Sequence, residues 1–512
     1  MGASSTFKSK TVKGLRWGVI DQMVNMVVMQ LTMVLLMRIL GPEEFGVIGM
    51  TNVFFNFANI LVVFGIPAFI IQRPEISDSI LSTCFWLNLI LGILIAGLMY
   101  LISPAVGAFY REPQVTEILA LMSIFFIIES FSFVQRAMLN RELNLQDLFK
   151  ARFISMVLSC AIAIYWALET QSVWALVARI GFFKLFFTLA TFYYNRWWPR
   201  FTFDKQLLSP ILGFTMPLLG SNSVRLFVRN VDIMVVGRWF GTFDTGIYSR
   251  SYNILSLPVN NISQAINRVM MSSFSKIQSE PERIIDTFLK VNKTTAFITF
   301  PLMSILFVFA PYFVLGIFGK EWVSMIPLMR VMSLGGIVFS IAALIPNIFI
   351  VLNRTRIHFY NTLVTSLFTV AGIVIGAFFG ILGVAVGVSL GIIAGYLPGV
   401  WWVQKVLGLS MKRHLMNYLP IAGTTLLFIL LSYGVDYIAF SQVTSLFLAD
   451  AVVETHRSII YLLHLFAMTI FSIFAFLGLT HLFGINLAPQ ILRDFLSDKI
   501  YNRISFLWSQ KK

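Results

Sequence analysis

A chain of 512 residues that is 58% hydrophobic and only 12% charged is not an ordinary soluble enzyme, whose charged fraction would be about 25%. Its apolar residues come in runs of about 20, the length that crosses a hydrocarbon core, and in lipid such runs must be helical so that each backbone polar group is satisfied within the segment. The net charge of +15 is spread over the ends of these runs rather than gathered in one patch, so membrane topology accounts for it before nucleic acid does.

The chain starts with Lys8, Lys10, Lys13 and Arg16 ahead of an apolar run from 17 to 40. That run is too long for the core of a signal peptide and lacks a small-residue cleavage site, so it reads as the first transmembrane helix. Fourteen spans are expected. The first six lie near 17–39, 46–72, 80–103, 115–136, 152–168 and 171–195, and the next six near 207–238, 243–272, 294–318, 323–352, 358–379 and 381–404. Two more follow near 416–437 and 457–484, and the longest external loop is expected near 438–456. Loop Lys and Arg on the side of the N-terminus outnumber those on the other side (Arg38, Arg111, Arg238, Lys320 and Arg457) about fivefold, which puts both termini in the cytoplasm. From 487 to 512, Leu492, Leu496, Ile500, Ile504 and Leu507 recur at helical spacing, as in an amphipathic helix on the inner membrane surface.

Arg38-Ile-Leu-Gly41-Pro-Glu-Glu-Phe-Gly46 is echoed 200 positions later by Arg238-Trp-Phe-Gly241-Thr-Phe-Asp-Thr-Gly246. Arg, Gly and Gly coincide without a gap, and each set closes the first helix of a six-span group. The expected fold is therefore an all-α polytopic membrane protein of about 14 helices: six-helix lobes at 1–200 and 201–407 around a central cavity, two further helices at 408–484, and a cytoplasmic tail at 485–512. An even number of spans per repeat relates the lobes by a pseudo-two-fold axis along the membrane normal, with the substrate site between them.

These residues carry a resemblance. Arg38 to Gly46, and Phe318-Gly-Lys-Glu-Trp322 with Pro327, Leu328 and Arg330, are similar to motifs of the polysaccharide-exporter, or oligosaccharide-lipid flippase, family, whose superfamily also holds multidrug extruders and lipid II flippases. The likeness extends over roughly residues 10–405. It implies export of undecaprenyl-pyrophosphate-linked oligosaccharide across a bacterial inner membrane, alongside a polysaccharide polymerase and glycosyltransferases.

Charged and amide side chains inside the spans are the candidate site, because intramembrane polar groups usually face a cavity or a partner. Asn222, Arg225, Arg229 and Asp232 share one face of the seventh span. There the guanidinium forks of Arg225 and Arg229 suit phosphate or carboxylate groups, and the structural alternative is an Arg229–Asp232 pair. The corresponding face of the first span, with Gln22, Asn25, Met29 and Thr32, is polar without being cationic. Asn52, Asn56 and Asn59 line the second span, and Asn260, Gln264 and Asn267 the eighth, flanked by Arg250 and Arg268. Their amides match sugar hydroxyls and serve equally as interhelical hydrogen bonds. Arg179, Lys184 and Arg330 are weaker candidates, free to snorkel or pair locally. Asp21 and Asp232 are candidates for coupling to a proton or sodium gradient, and Asp21 has the alternatives of pairing with Arg16 or facing headgroups.

No catalytic residue, cofactor or metal is expected. Cys84 and Cys160 lie in apolar runs, the five His lack metal-ligand spacing, and no G-x-x-x-x-G-K-[ST] phosphate loop is present. The basic sign of the intramembrane charges favours an anionic lipid-linked glycan over the lipophilic cations of a multidrug extruder. Lipid II remains an alternative substrate.

Overall fold

The computed structural model describes residues 2–63, 65–211, 230–274, 280–447 and 453–483, with isolated positions 213, 215, 277 and 485. The described chain is helical apart from its connecting segments. Among the described residues, twelve helices are long and apolar enough to cross a membrane: Arg16–Ile39, Pro42–Gln72, Asp78–Tyr110, Pro113–Ser130, Leu145–Thr170, Trp174–Asn195, Glu282–Val308, Met325–Val351, Thr355–Ala377, Gly380–Leu407, Met411–Ile438 and Ser458–Leu482. They match twelve of the fourteen expected spans one for one. Half of the expected span near 207–238 lies outside the described residues, as does the amphipathic tail at 487–512. The expected span near 243–272 falls within the long helix Val231–Phe274.

Large apolar side chains point outward along these helices, among them Leu101, Tyr165, Leu367 and Leu390. On a water-soluble chain such a surface would aggregate, whereas acyl chains are its natural solvent.

The chain divides into two compact units, Met1–Ile247 and Tyr248–Lys512. The first holds α1 (Gly2–Ile39), α2 (Pro42–Val63), α3 (Ile66–Gln72), α4 (Asp78–Tyr110), α5 (Pro113–Ser130), α6 (Phe133–Arg141), α7 (Leu145–Thr170), α8 (Trp174–Asn195) and the start of α9 (Val231–Phe274). Short links make α4 with α5, and α7 with α8, tight helical hairpins. Trp17 of α1 packs on Phe149 of α7 with ring centroids 5.3 Å apart. The second span breaks at Gly65, which takes a left-handed conformation between α2 and α3, with Pro67 in the first turn of α3.

The two copies of the Arg-Gly-Gly motif meet within this unit. Helix α1 ends at Ile39 and α2 restarts at Pro42, while α9 is interrupted at Gly241, whose φ of 84° suits glycine alone. A Cβ placed on Gly46 would overlap the carbonyl of Thr242, and one on Gly246 would overlap the carbonyl of Pro42. Positions 42 and 46 thus contact 242 and 246 reciprocally, the pattern of an isologous contact about a local two-fold axis.

The second unit contains α10 (Pro281–Val308), α11 (Ala310–Phe313), α12 (Met325–Ala342), α13 (Ile345–Val351), α14 (Thr355–Ala377), α15 (Gly380–Leu407), α16 (Met411–Met416), α17 (Leu419–Phe447) and α18 (Val453–Leu482). Its core joins Phe288, Phe297, Phe349, Tyr396, Phe428 and Phe476. The Phe318-to-Trp322 motif forms a wide turn at 314–318, then Gly319 at φ 102°, then a tight turn that buries Trp322 completely. The external loop expected near 438–456 is largely helix, since α17 runs to Phe447 and α18 begins at Val453. No Gly or Pro occurs from 438 to 456 to stop either helix at the hydrocarbon edge.

Helices α14 and α15 approach until backbone meets backbone. A Cβ on Gly372 would overlap the Gly387 carbonyl, and one on Gly387 the Gly372 carbonyl. Close approach through small residues is how membrane helices gain dispersion energy without a hydrophobic effect between them. Gly372→Val or Gly387→Val should therefore lower stability by more than the roughly 1–3 kcal/mol of ordinary overpacking, since the obstacle is backbone, read as a fall in the thermal midpoint in detergent.

Candidate substrate-facing residues

The first unit holds a network of charges that crosses five helices. On the polar face of α1, the Asp21 carboxylate pairs with Arg152 of α7. Eight residues on, Met29 Sδ accepts from Arg179 Nη1 of α8 at 3.5 Å. Deeper in the bundle, Glu129 of α5 serves two cations: Lys184 of α8, in direct contact, and Arg136 of α6 at 3.5 Å. Lys184 and Glu129 are largely buried, with side chains 11% and 14% exposed. Stranding either would cost several kcal/mol, so each requires the other.

Aromatic faces complete the network. The Lys184 ammonium lies 5.0 Å from the centre of the Phe55 ring on α2. The Arg136 guanidinium lies 5.2 Å from the rings of both Phe133 and Phe187, and Arg152 reaches Phe187 from 5.8 Å. Such contacts favour a cation where water is scarce. The network contains Arg136, Arg152, Arg179 and Lys184 against Asp21 and Glu129, so cations predominate. Arg179 Nε is buried and has no hydrogen-bond partner among the described residues, and Asn59 Oδ1 is in the same condition. Each retains bonding capacity toward a polar ligand.

The α1 face carries no cation of its own, and neighbouring helices supply positive charge to it. Arg152 and Arg179, contributed by neighbouring helices, bring positive charge to the α1 face that reads as neutral from α1 itself. Asp21 finds its partner in Arg152, and Lys184 pairs across helices with Glu129 rather than within its own turn. Glu129 is absent from the candidates that the sequence suggests. Its signal is its position: an acidic residue inside an apolar run needs a cation, and Lys184 is a cation in a similar setting.

Among the other candidates, Asn25, Asn52, Arg250 and Asn260 are half-buried and Asn56 is exposed. Asp232 is buried at the start of α9, where its Oδ1 accepts the Ile233 amide at 2.8 Å. Asn222, Arg225 and Arg229 lie outside the described residues, as do the side chains of Gln264, Asn267 and Arg268. A cavity of about 270 Å³ between α5, α7 and α8 is lined by Phe125, Trp166, Trp174, Val177, Phe182 and other apolar residues. It holds none of the network's charges, so it is not the polar cavity expected from the sequence.

A family model described as "Polysaccharide biosynthesis protein" matches residues 35–327, more than half of the chain. The chain belongs to this polysaccharide biosynthesis protein family. Within it, this family member is 28% identical over 331 residues to the teichuronic acid biosynthesis protein TuaB of Bacillus subtilis, covering 64% of this chain and 68% of TuaB. It is 27% identical over 424 residues to the lipopolysaccharide biosynthesis protein WzxC of Escherichia coli, covering 81% of this chain and 85% of WzxC. Its fold is that of an inward closed structure of the lipid II flippase MurJ, with a TM-score of 0.72 at 15% identity, covering 93% of this chain and 100% of that one. It is a multi-pass membrane protein.

Proposed function

We propose that this protein carries an undecaprenyl-pyrophosphate-linked oligosaccharide from the cytoplasmic to the periplasmic leaflet of a bacterial inner membrane by alternating access. Both termini are cytoplasmic in this reading, and two six-helix lobes at 1–200 and 201–407 rock about the substrate. The supporting observation is the cationic excess of the buried network in the first unit. A pyrophosphate is a compact anion that guanidinium groups bind through two or more charge-assisted hydrogen bonds. The same sign of charge repels lipophilic cations and so disfavours a multidrug extruder.

Arg179 is the sharpest probe, because it has no carboxylate partner among the described contacts and its loss leaves no anion stranded. In vesicles containing a fluorescent lipid-linked oligosaccharide, Arg179→Ala should slow leaflet exchange about tenfold, the factor that about 1.4 kcal/mol of binding carries. Its thermal midpoint should stay near that of the parent. The combined change Arg225→Ala and Arg229→Ala should have at least as large an effect. Exchange equal to the parent in both variants would sink the proposal. Vesicles loaded with lipid II instead would show which pyrophosphate lipid the protein prefers.

A further inference from the structure

Between Glu321 and Asp436 the sequence has no acidic residue and six basic ones, Arg330, Arg354, Arg356, Lys405, Lys412 and Arg413. Among the described residues, the one ion pair these six make is that of Arg413 with Asp286 of α10, at 2.9 Å. Arg354, Arg356 and Lys405 are exposed, and the packing of α14 on α15 brings them together. A Cβ on Gly395 would press on Thr365 and one on Gly399 on Asn361, so the contact steps four residues at a time in opposite directions along the two helices. One more step carries it to positions 357 and 403, which sets Arg356 level with Lys405, while Arg354 directly precedes the first residue of α14. The Lys405 ammonium lies 3.8 Å from the centre of the Trp401 ring and 6.0 Å from that of Trp402. Such contacts hold a cation where tryptophans gather, at the boundary between hydrocarbon and headgroups. From each helix's cation an apolar stripe runs along the span. On α14, Tyr360, Leu363 and Leu367 follow Arg356 at intervals of four, three and four, and on α15, Trp401, Leu397 and Ile393 precede Lys405 at intervals of four. All six are exposed.

We propose that this end of the α14–α15 hairpin binds an anionic phospholipid of the surrounding bilayer, its phosphate among Arg354, Arg356 and Lys405 and its acyl chains along the two stripes. Charge complementarity sets the sign of the occupant: three exposed cations on a stretch without a carboxylate leave the neutralising charge to a partner. The guanidinium forks suit two phosphate oxygens each, and the ammonium adds a point charge. The stripes set the class of the occupant. A soluble phosphate would use the cations and ignore Tyr360, Leu363 and Leu367, whereas a phospholipid matches charge and apolar surface at once. A zwitterionic lipid brings its own cation to the same place, where the three basic side chains repel it, so the site discriminates by headgroup charge. A lipid that binds the folded hairpin and not the unfolded chain also stabilises the fold by mass action.

The full chain in a neutral detergent is titrated with phosphatidylglycerol or with phosphatidylcholine of the same acyl chains. Native mass spectrometry counts the bound lipid, and the thermal midpoint is followed in parallel. No lipid-linked glycan is present, so failure here and failure of the transport reading are separable. The parent should bind phosphatidylglycerol at least about fivefold more tightly than phosphatidylcholine, the factor that one basic residue near an anionic headgroup supplies. Its thermal midpoint should rise more with phosphatidylglycerol than with phosphatidylcholine. The combined change Arg354→Gln, Arg356→Gln and Lys405→Gln should bring the two affinities together. Lys205→Gln with Lys320→Gln, which removes exposed cations elsewhere, should keep the preference. Equal affinities in the parent, a triple variant that keeps the parent's preference, or a control that loses it as fully would each overturn the proposal. Inorganic phosphate at the lipid's concentration should leave binding unchanged, and displacement by it would overturn the role of the stripes and with it the proposal. Should the triple variant fail to fold, the parent decides the matter with a phosphatidylglycerol that carries a photoreactive group in one acyl chain. Label concentrated at 360–367 and 393–401 supports the site, and label spread evenly over the spans overturns it.

Discussion

Replacing Glu129 with Gln should lower the stability of the protein by about 3–5 kcal/mol, the loss expected when one partner of a buried ion pair is removed. The reason is its double duty. Glu129 holds Lys184 of α8 and Arg136 of α6, so its neutralisation leaves two cations facing each other among Phe55, Phe133 and Phe187. The aromatic faces offset part of that cost, at about 0.5–2 kcal/mol per contact, and do not replace a carboxylate. Removing a cation together with the anion should recover most of the loss. Glu129→Gln combined with Lys184→Met leaves only Arg136, whose side chain is 29% exposed and able to reach solvent. Thermal unfolding in detergent, followed by the fraction of monodisperse protein, checks both variants. A single variant that melts with the parent would mean that water already reaches the network and solvates the charges assigned to the carboxylate.

The fold was legible because lipid imposes a simple rule. A run of about 20 apolar residues must be a helix, and twelve such runs are helices here, eleven with ends within about seven residues of those expected and one, Glu282–Val308, starting and ending ten or more residues before the expected 294–318. Where the rule weakens, so does the reading. The stretch at 438–456 mixes apolar and polar residues without a breaker, and its lower apolarity reads as a loop although a helix needs no hydrophobicity outside the bilayer. The polar stripe of α1 is equally visible as a stripe, but the charge that faces it is not. Asp21 meets Arg152 across 131 positions, and Glu129 meets Lys184 across 55. Helical spacing reports which residues share a face of one helix, and it carries no information about which face another helix presents to it. Only a matching of lone buried acids to lone buried bases finds these pairs, and Arg136 and Arg152 read first as topology signals at helix ends.

The duplicated glycines make the other large prediction. Gly46→Ala and Gly246→Ala should each cost more than the roughly 1–3 kcal/mol of ordinary overpacking, because the obstacle is backbone rather than a side chain that can turn away. The reciprocal geometry predicts more than two independent losses. Both methyl groups push apart the same pair of segments, 42–46 and 242–246, so the double variant should cost less than the sum of the singles once the first has opened the contact. Gly97→Ala and Gly423→Ala are the controls, since a Cβ at either position meets nothing within 4 Å. Within a helix they should be neutral or stabilise by up to about 1 kcal/mol. Thermal midpoints of the five variants test this directly, and an additive double variant would show that the two glycines act at separate contacts. Leaflet exchange measured in the same proteins then separates two roles for the contact. If the segments stay together throughout transport, activity should fall only as far as the folded fraction does. If they part during the cycle, the alanines favour the parted state, and exchange should change by more than stability explains.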